Sequence, residues 1–227
     1  MATVPPRATG SGLRERKKAD TRRALSSATQ ASFAPNGPTL DRMCAEVGVS
    51  KRTFFRYFSG REDAATLPLR DQWEGFEAAL NRRLGQMEPG ISVFALVQES
   101  FAEATRVCAE RDPDWLASMR TALRLEGEHA SIRAHNLGYC AGMTDGVAAA
   151  ITNHSGSPAL RARLLFEVFV VAVRAAQHSW LGSPHAATDV ELFLNQLDRA
   201  VATLAPSLGL RVRVASDAEG VAGRPRR

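Results

Sequence analysis

An all-α fold is predicted by three features of the sequence. Apolar residues recur at spacings of three and four along several long segments. Clusters of Pro, Gly, Asn and Ser divide those segments. No stretch alternates apolar and polar residues between hairpin turns, apart from a few residues near 210–214. The elements follow in order. Residues 1–12 hold Pro5, Pro6, Gly10 and Gly12 without apolar periodicity, and read as a disordered arm. Residues 13–34 read as a helix, with a weak stripe of Leu25, Ala28, Ala31, Ser32 and Phe33 beside a charged first half. Pro35-Asn36-Gly37-Pro38 ends it.

Residues 39–58, TLDRMCAEVGVSKRTFFRYF, carry the most specific pattern. Thr39 suits an N-cap, and Asp41 places a carboxylate at the positive end of the helix dipole. Met43, Cys44 and Val47 give this short helix its apolar side. Gly48 stands where the chain must pass through a left-handed conformation, which glycine enters without a Cβ penalty. Val49 packs into the elbow, and Ser50 caps a second short helix whose buried side is Phe54 and Phe58. Two short helices joined by a Gly-centred turn form a helix-turn-helix, whose second helix enters the DNA major groove by its N-terminal end.

The remaining segments are longer. Residues 61–85 align Leu69, Trp73, Phe76, Leu80 and Leu84, with Pro68 expected to kink the helix or break it near its start. Residues 91–110 align Val93, Leu96 or Val97, Phe101 and Val107. Asp112-Pro113, Ser155-Gly156-Ser157-Pro158 and Gly182-Ser183-Pro184 mark further ends. Residues 160–181 are apolar on nearly all sides, through Leu160, Leu164, Leu165, Val168, Phe169, Ala172, Val173, Ala176 and Trp180. Residues 188–204 align Val190, Phe193 or Leu194, Leu197, Val201 and Leu204. The Gly-, Pro- and Arg-rich stretch 208–227 reads as a disordered tail.

Charge is unevenly distributed. A net +5 divides into +8 for residues 1–61, −6 for 62–210 and +3 for 211–227. A basic first quarter on an acidic body points to an anionic polymer or surface as its partner. Cys44, Cys108 and Cys140 lack CxxC spacing, which argues against a disulfide framework or a structural zinc site and suits thiols in a reducing cytosol. Residues 1–18 lack the apolar stretch of a signal peptide. The most apolar run, 164–181, contains Glu167, Arg174, Gln177 and His178 and makes a poor bilayer span. The expected location is therefore cytoplasmic.

LRERKKADTRRAL, in the first helix, and GVSKRTFFRYFSGRED, across the helix-turn-helix into the next helix, closely resemble the TetR family of transcriptional regulators. The resemblance covers about residues 13–65 by motif. It implies a DNA-binding domain over 13–60 and a helical ligand-binding and dimerisation domain over 61–207. The DNA-facing set is then Thr39, Ser50, Lys51, Arg52, Thr53, Phe55, Arg56, Tyr57 and Arg61, with Arg14, Lys17 and Lys18 from the first helix. Lys51 and Arg52 reach base edges or adjacent phosphates, and arginine's fork matches guanine O6 and N7. Thr53 meets a thymine methyl or a phosphate. Phe55 replaces the tyrosine common there and offers apolar contact only. Arg56 faces solvent or a phosphate. Tyr57 matches a position that bonds the DNA backbone, and Arg61 stands where the family has a phosphate-binding lysine. Arg14, Arg16, Lys17, Lys18, Arg22 and Arg23 supply backbone attraction. Two departures stand out. The turn at 35–38 is about three residues shorter than usual, and Cys44 replaces a small alanine, packing as an inert thiol.

For the body, an all-round apolar helix over 160–181 must face both its own core and something else. With 188–204 it forms a self-pairing surface through Leu165, Phe169, Val173, Ala176, Trp180, Phe193, Leu197 and Val201. A homodimer presents two recognition helices about 34–36 Å apart on a near-palindromic operator. Trp115, Met119, Asn136, Tyr139, Met143 and Gln177, with Leu123, Cys140 and Phe166, are the candidates to line a chamber for a small, largely apolar effector. The five histidines show no metal-ligand spacing. HExxH, GxSxG and P-loop motifs are absent, so neither catalysis, a metal nor a cofactor is expected. The leading reading is a one-component repressor released by its effector. An activator of the same layout, or a non-switching DNA-binding protein whose body serves only dimerisation, are the alternatives.

Overall fold

The computed structural model describes residues 10–86, 88, 90–183 and 189–208, and among them every regular element is an α-helix. Helices α1 (Gly10–Ala31), α2 (Leu40–Val47), α3 (Lys51–Tyr57) and α4 (Arg61–Ala65) form a head. Its core is Leu25, Cys44, Phe54, Phe58, Ala64 and Leu67. Helices α5 (Leu67–Leu84), α6 (Val93–Arg111), α7 (Trp115–Glu128), α8 (Ala130–Ser155), α9 (Ala159–Leu181) and α10 (Val190–Ser207) form the body. Helix α1 begins at Gly10, so residues 10–12 of the expected disordered arm are helical. The Arg-, Glu- and Lys-rich turns that follow favour helix strongly enough to extend it backward. The rest of that arm, residues 1–9, and residues 209–227 of the expected tail lie outside the described residues.

Local chemistry sets the ends of the short helices. The Thr39 hydroxyl accepts from the Arg42 N–H at 3.4 Å, and Gly48 turns left-handed at φ 73° to close α2. The Ser50 Oγ accepts from the Thr53 N–H at 3.1 Å and opens α3. The break expected near Pro68 falls at Thr66, whose hydroxyl donates to the Glu62 carbonyl at 2.9 Å. Pro68 then sits in the first turn of α5, where its missing N–H costs nothing.

The short turn after α1 closes by close approach. A Cβ at Gly37 would lie 2.4 Å from the Ser32 carbonyl oxygen. Gly37→Ala should therefore lower stability by about 1–3 kcal/mol, the usual cost of overpacking. Urea denaturation measures it, and an unchanged midpoint would show that the turn opens freely.

An aromatic cluster fills the body. Phe76 and Phe166 stack at 5.6 Å, and Trp73, Phe101 and Phe169 pack around them, all buried. Trp180 and Phe193 meet edge-on at 5.4 Å between α9 and α10. This placement corrects the expected dimer surface. Phe169, Val173, Ala176, Trp180, Phe193 and Leu197 are enclosed within one chain, and Leu165 and Val201 pack half-buried against the same core. Because α9 is apolar all round, its bulkiest residues turn inward. Those left outside are Leu160 (69% exposed), Leu164 (51%), Val168 (41%) and Val171 (60%).

A buried amide and an apolar joint help seat the head on the body. The Gln30 amide of α1 donates to the Ala65 and Ser118 carbonyls, each at 3.0 Å, and accepts from the Ser118 hydroxyl at 3.2 Å. Ala65, Leu125 and Ile132 form a small apolar joint between α4, α7 and α8, with Phe33 against it.

Candidate nucleic-acid interface and effector cavity

The capped N-terminal end of α3 stands clear of the head. Lys51, Arg52, Phe55 and Arg56 are exposed there, while Phe54 and Phe58 anchor the opposite side. Phe55 is 56% exposed and meets Phe54 edge-on at 5.3 Å, which fixes the ring without covering it. Lys51 pairs with Asp41 at 3.0 Å. Such an exposed pair is worth about 0–1 kcal/mol, so Asp41 holds the amine only loosely. The Arg56 guanidinium lies 5.2 Å from the centre of the Tyr57 ring. The Thr53 and Ser50 hydroxyls lie 3.1 Å apart.

The first turns of α1 run beside this end. Arg14, Lys17, Lys18 and Thr21 face Val49, Thr53, Arg56 and Tyr57 across an open groove of about 960 Å³, with Glu15 as its acidic member. The structure thus gathers Arg14, Lys17, Lys18, Thr53, Arg56 and Tyr57 on one groove and leaves Lys51, Arg52 and Phe55 exposed on α3. Thr39 and Ser50 are exposed caps at the starts of α2 and α3.

Three expected contacts are committed elsewhere. The Arg61 guanidinium donates to the Ser32 carbonyl at 3.0 Å and the Ser32 hydroxyl at 2.8 Å, and stacks over Phe33 at 4.6 Å. The tight 35–38 turn brings the end of α1 within its reach, so Arg61 caps α1 where a phosphate contact was expected. Arg22 pairs with Asp71 of α5 at 3.2 Å. Arg23 pairs with Asp20, donates to the Arg111 carbonyl at 3.3 Å, and lies 3.8 Å from Asp112. Both arginines therefore tie α1 to the body, while Arg14, Lys17 and Lys18 stay free of it. Burial pushes the Asp71 carboxyl up, against the opposing pull of Arg22.

A site that sequence reasoning missed lies just behind α3. The Asp63 carboxylate accepts from the Ser59 N–H at 2.7 Å and the Ser59 hydroxyl at 3.1 Å, and it pairs with Arg70 of α5. This buried pair fixes the α3–α4 turn and hence the tilt of α3.

The expected effector residues separate. Asn136 and Gln177, with Leu123 and Cys140, line one cavity of about 430 Å³ between α5, α7, α8 and α9. Leu69, Trp73, Val170, Val173 and Leu181 supply its apolar wall. Glu126, Arg133, Arg174 and His178 are also among its lining residues. Trp115 is instead at the head–body seam, where its indole N–H donates to the Pro68 carbonyl at 3.1 Å. Met119, Met143 and Phe166 are core. Tyr139 packs half-buried against that core, its hydroxyl pKa raised by burial. Burial also raises the thiol pKa values of Cys44 and Cys140 and pushes Cys108 up to about 12.

Among the described residues, no helix is long and apolar enough to cross a membrane, and no group of three His, Cys, Asp or Glu could hold a metal ion. No protein-family model and no curated protein matches the chain. Among solved structures it is similar to a chain from Mesorhizobium loti MAFF303099, provisionally assigned to the TetR family of transcriptional regulators. Identity is 16%, the TM-score is 0.44, and the match covers 84% of this chain and 98% of that one.

Proposed function

We propose that this chain is a transcriptional regulator of the TetR type, acting in the cytoplasm as a repressor that binds a near-palindromic operator as a homodimer. The observation that carries this reading is the head itself. A capped, exposed helix end with Lys51, Arg52 and Phe55 stands beside a basic groove from α1, on a body of net negative charge. Phosphates bind Arg14, Lys17, Lys18, Arg56 and the Tyr57 hydroxyl, while Arg52 and Phe55 reach base edges. The dimer forms through the outward apolar stripe of α9, Leu160, Leu164, Val168 and Val171. An effector in the cavity of Asn136 and Gln177 releases the operator by moving α4 through the Ala65 joint.

The operator is found by selecting bound fragments from genomic DNA, and Arg52→Ala tests the reading head on it. The variant should lose about 1–3 kcal/mol on the operator while keeping its affinity for random DNA. Equal weakening on both would reduce Arg52 to a phosphate contact. Failure to enrich any fragment would defeat the reading.

A further inference from the structure

The cavity between α5, α7, α8 and α9 has an uneven lining. Its wall is aliphatic and aromatic, yet two arginines sit on it. Neither is spent on a carboxylate. Arg133, in the first turn of α8, donates from Nε to the Glu126 carbonyl at 3.2 Å and from Nη2 to the Gly127 carbonyl at 2.9 Å. Arg174 of α9 lies beside Cys140 and draws its thiol pKa down against the larger upward push of burial. Both arginines are exposed residues and keep donors to offer. Glu126 supplies the one carboxylate on the lining, so the two arginines leave an excess of one positive charge. An apolar chamber with two under-used guanidinium groups matches a tail and an anionic head.

We propose that this cavity takes an amphipathic anion, a small molecule whose apolar tail lies against Leu69, Trp73, Val170 and Val173 and whose carboxylate-like head is received by Arg133 and Arg174. The inference rests on the effector reading above and adds a route for its signal. Arg133 holds the carbonyls at the end of α7, and Leu125 and Ile132, each one residue away from that latch, grip Ala65 of α4. An anion that draws Arg133 off Glu126 and Gly127 loosens the α7–α8 corner where it carries the head.

Calorimetric titration of the full chain with decanoate, decan-1-ol and decylamine tests the assignment. Decanoate should bind at least tenfold more tightly than either congener. Arg133→Gln and Arg174→Gln should each reduce that preference several-fold while retaining the alcohol, with circular dichroism confirming the fold. Glu126→Gln should tighten decanoate. Equal affinity for decanoate and decanol, or decanoate binding indifferent to both arginines, would overturn the anionic head and leave the effector reading standing. Absence of binding by all three would overturn the proposed tail and head together. The operator complex separates the two claims. Decanoate that binds through the arginines without weakening the operator complex would support the site and defeat its role as effector chamber. In Arg133→Gln, bound decanoate should release less operator than it does in the unaltered chain at equal saturation. Equal release would remove the latch.

Discussion

A chain carrying Leu164→Glu and Val171→Glu should stay folded, sediment as a monomer, and bind the operator about 10²–10⁴-fold more weakly. That range is what joining two binding modules contributes once each half-site is held at an effective local concentration. The reasoning starts from α9. Its inward residues already fill one chain's core, so glutamates at its half-exposed outer positions reach solvent in the monomer and leave that core intact. In a dimer paired through this stripe, each carboxylate would lie unpaired in an apolar contact, which a two-fold interface repeats on both sides. Gel-shift titration and sedimentation velocity on one preparation give both readouts. A persistent dimer with unchanged operator affinity would place the two-fold elsewhere.

The second large effect is expected at Asp63. Asp63→Ala should destabilise the chain by about 3–5 kcal/mol, because it leaves the largely buried Arg70 guanidinium with only the half-exposed Glu74 carboxylate, 3.6 Å away, as counter-charge. Side-chain exposures of 9% for Asp63 and 16% for Arg70 set the size of the penalty. The same change removes the carboxylate oxygen that accepts both Ser59 hydrogen bonds and so frees the α3–α4 turn. Asp63→Leu combined with Arg70→Met should recover much of the loss, since replacing both partners leaves no orphaned charge. Thermal unfolding monitored at 222 nm resolves these differences. A shift below about 1 kcal/mol for Asp63→Ala would mean that water reaches the pair and screens it.

What could be read in advance were features whose cause is local. Thr39, Gly48 and Ser50 act within three or four residues of themselves, so the sequence displays the caps and the left-handed turn directly. Pro68 announces the interruption of the helix at Thr66 for the same reason. The α7–α8 corner carries no such mark. His129 is neither Pro nor Gly, and the break is held by Arg133 reaching back and by the Phe33 and His129 rings 5.1 Å apart. Which side of α9 faces inward was equally hidden, since periodicity loses its direction when all faces are apolar. Arg61 misled because its place after the helix-turn-helix suits a phosphate, while its partner Ser32 lies 29 residues back. For the cavity, Asn136 and Gln177 stood out as polar residues on apolar helices. The stronger signal was Arg174, a lone cation within the most apolar run of the chain.

The Gln30 amide bears on how this architecture could be rebuilt. One side chain of the first helix hydrogen-bonds the last residue of α4 and a residue of α7, 88 positions away. Leu67, in the first turn of α5, belongs to the head's core, while Leu69 two residues later belongs to the body's. The head is therefore not a portable cassette. A chimaera cut between α4 and α5 would sever one core and orphan a buried amide. A graft onto this body must exchange the surface of α3 and the first turns of α1 and leave Gln30, Ala65, Leu67 and Ser118 in place.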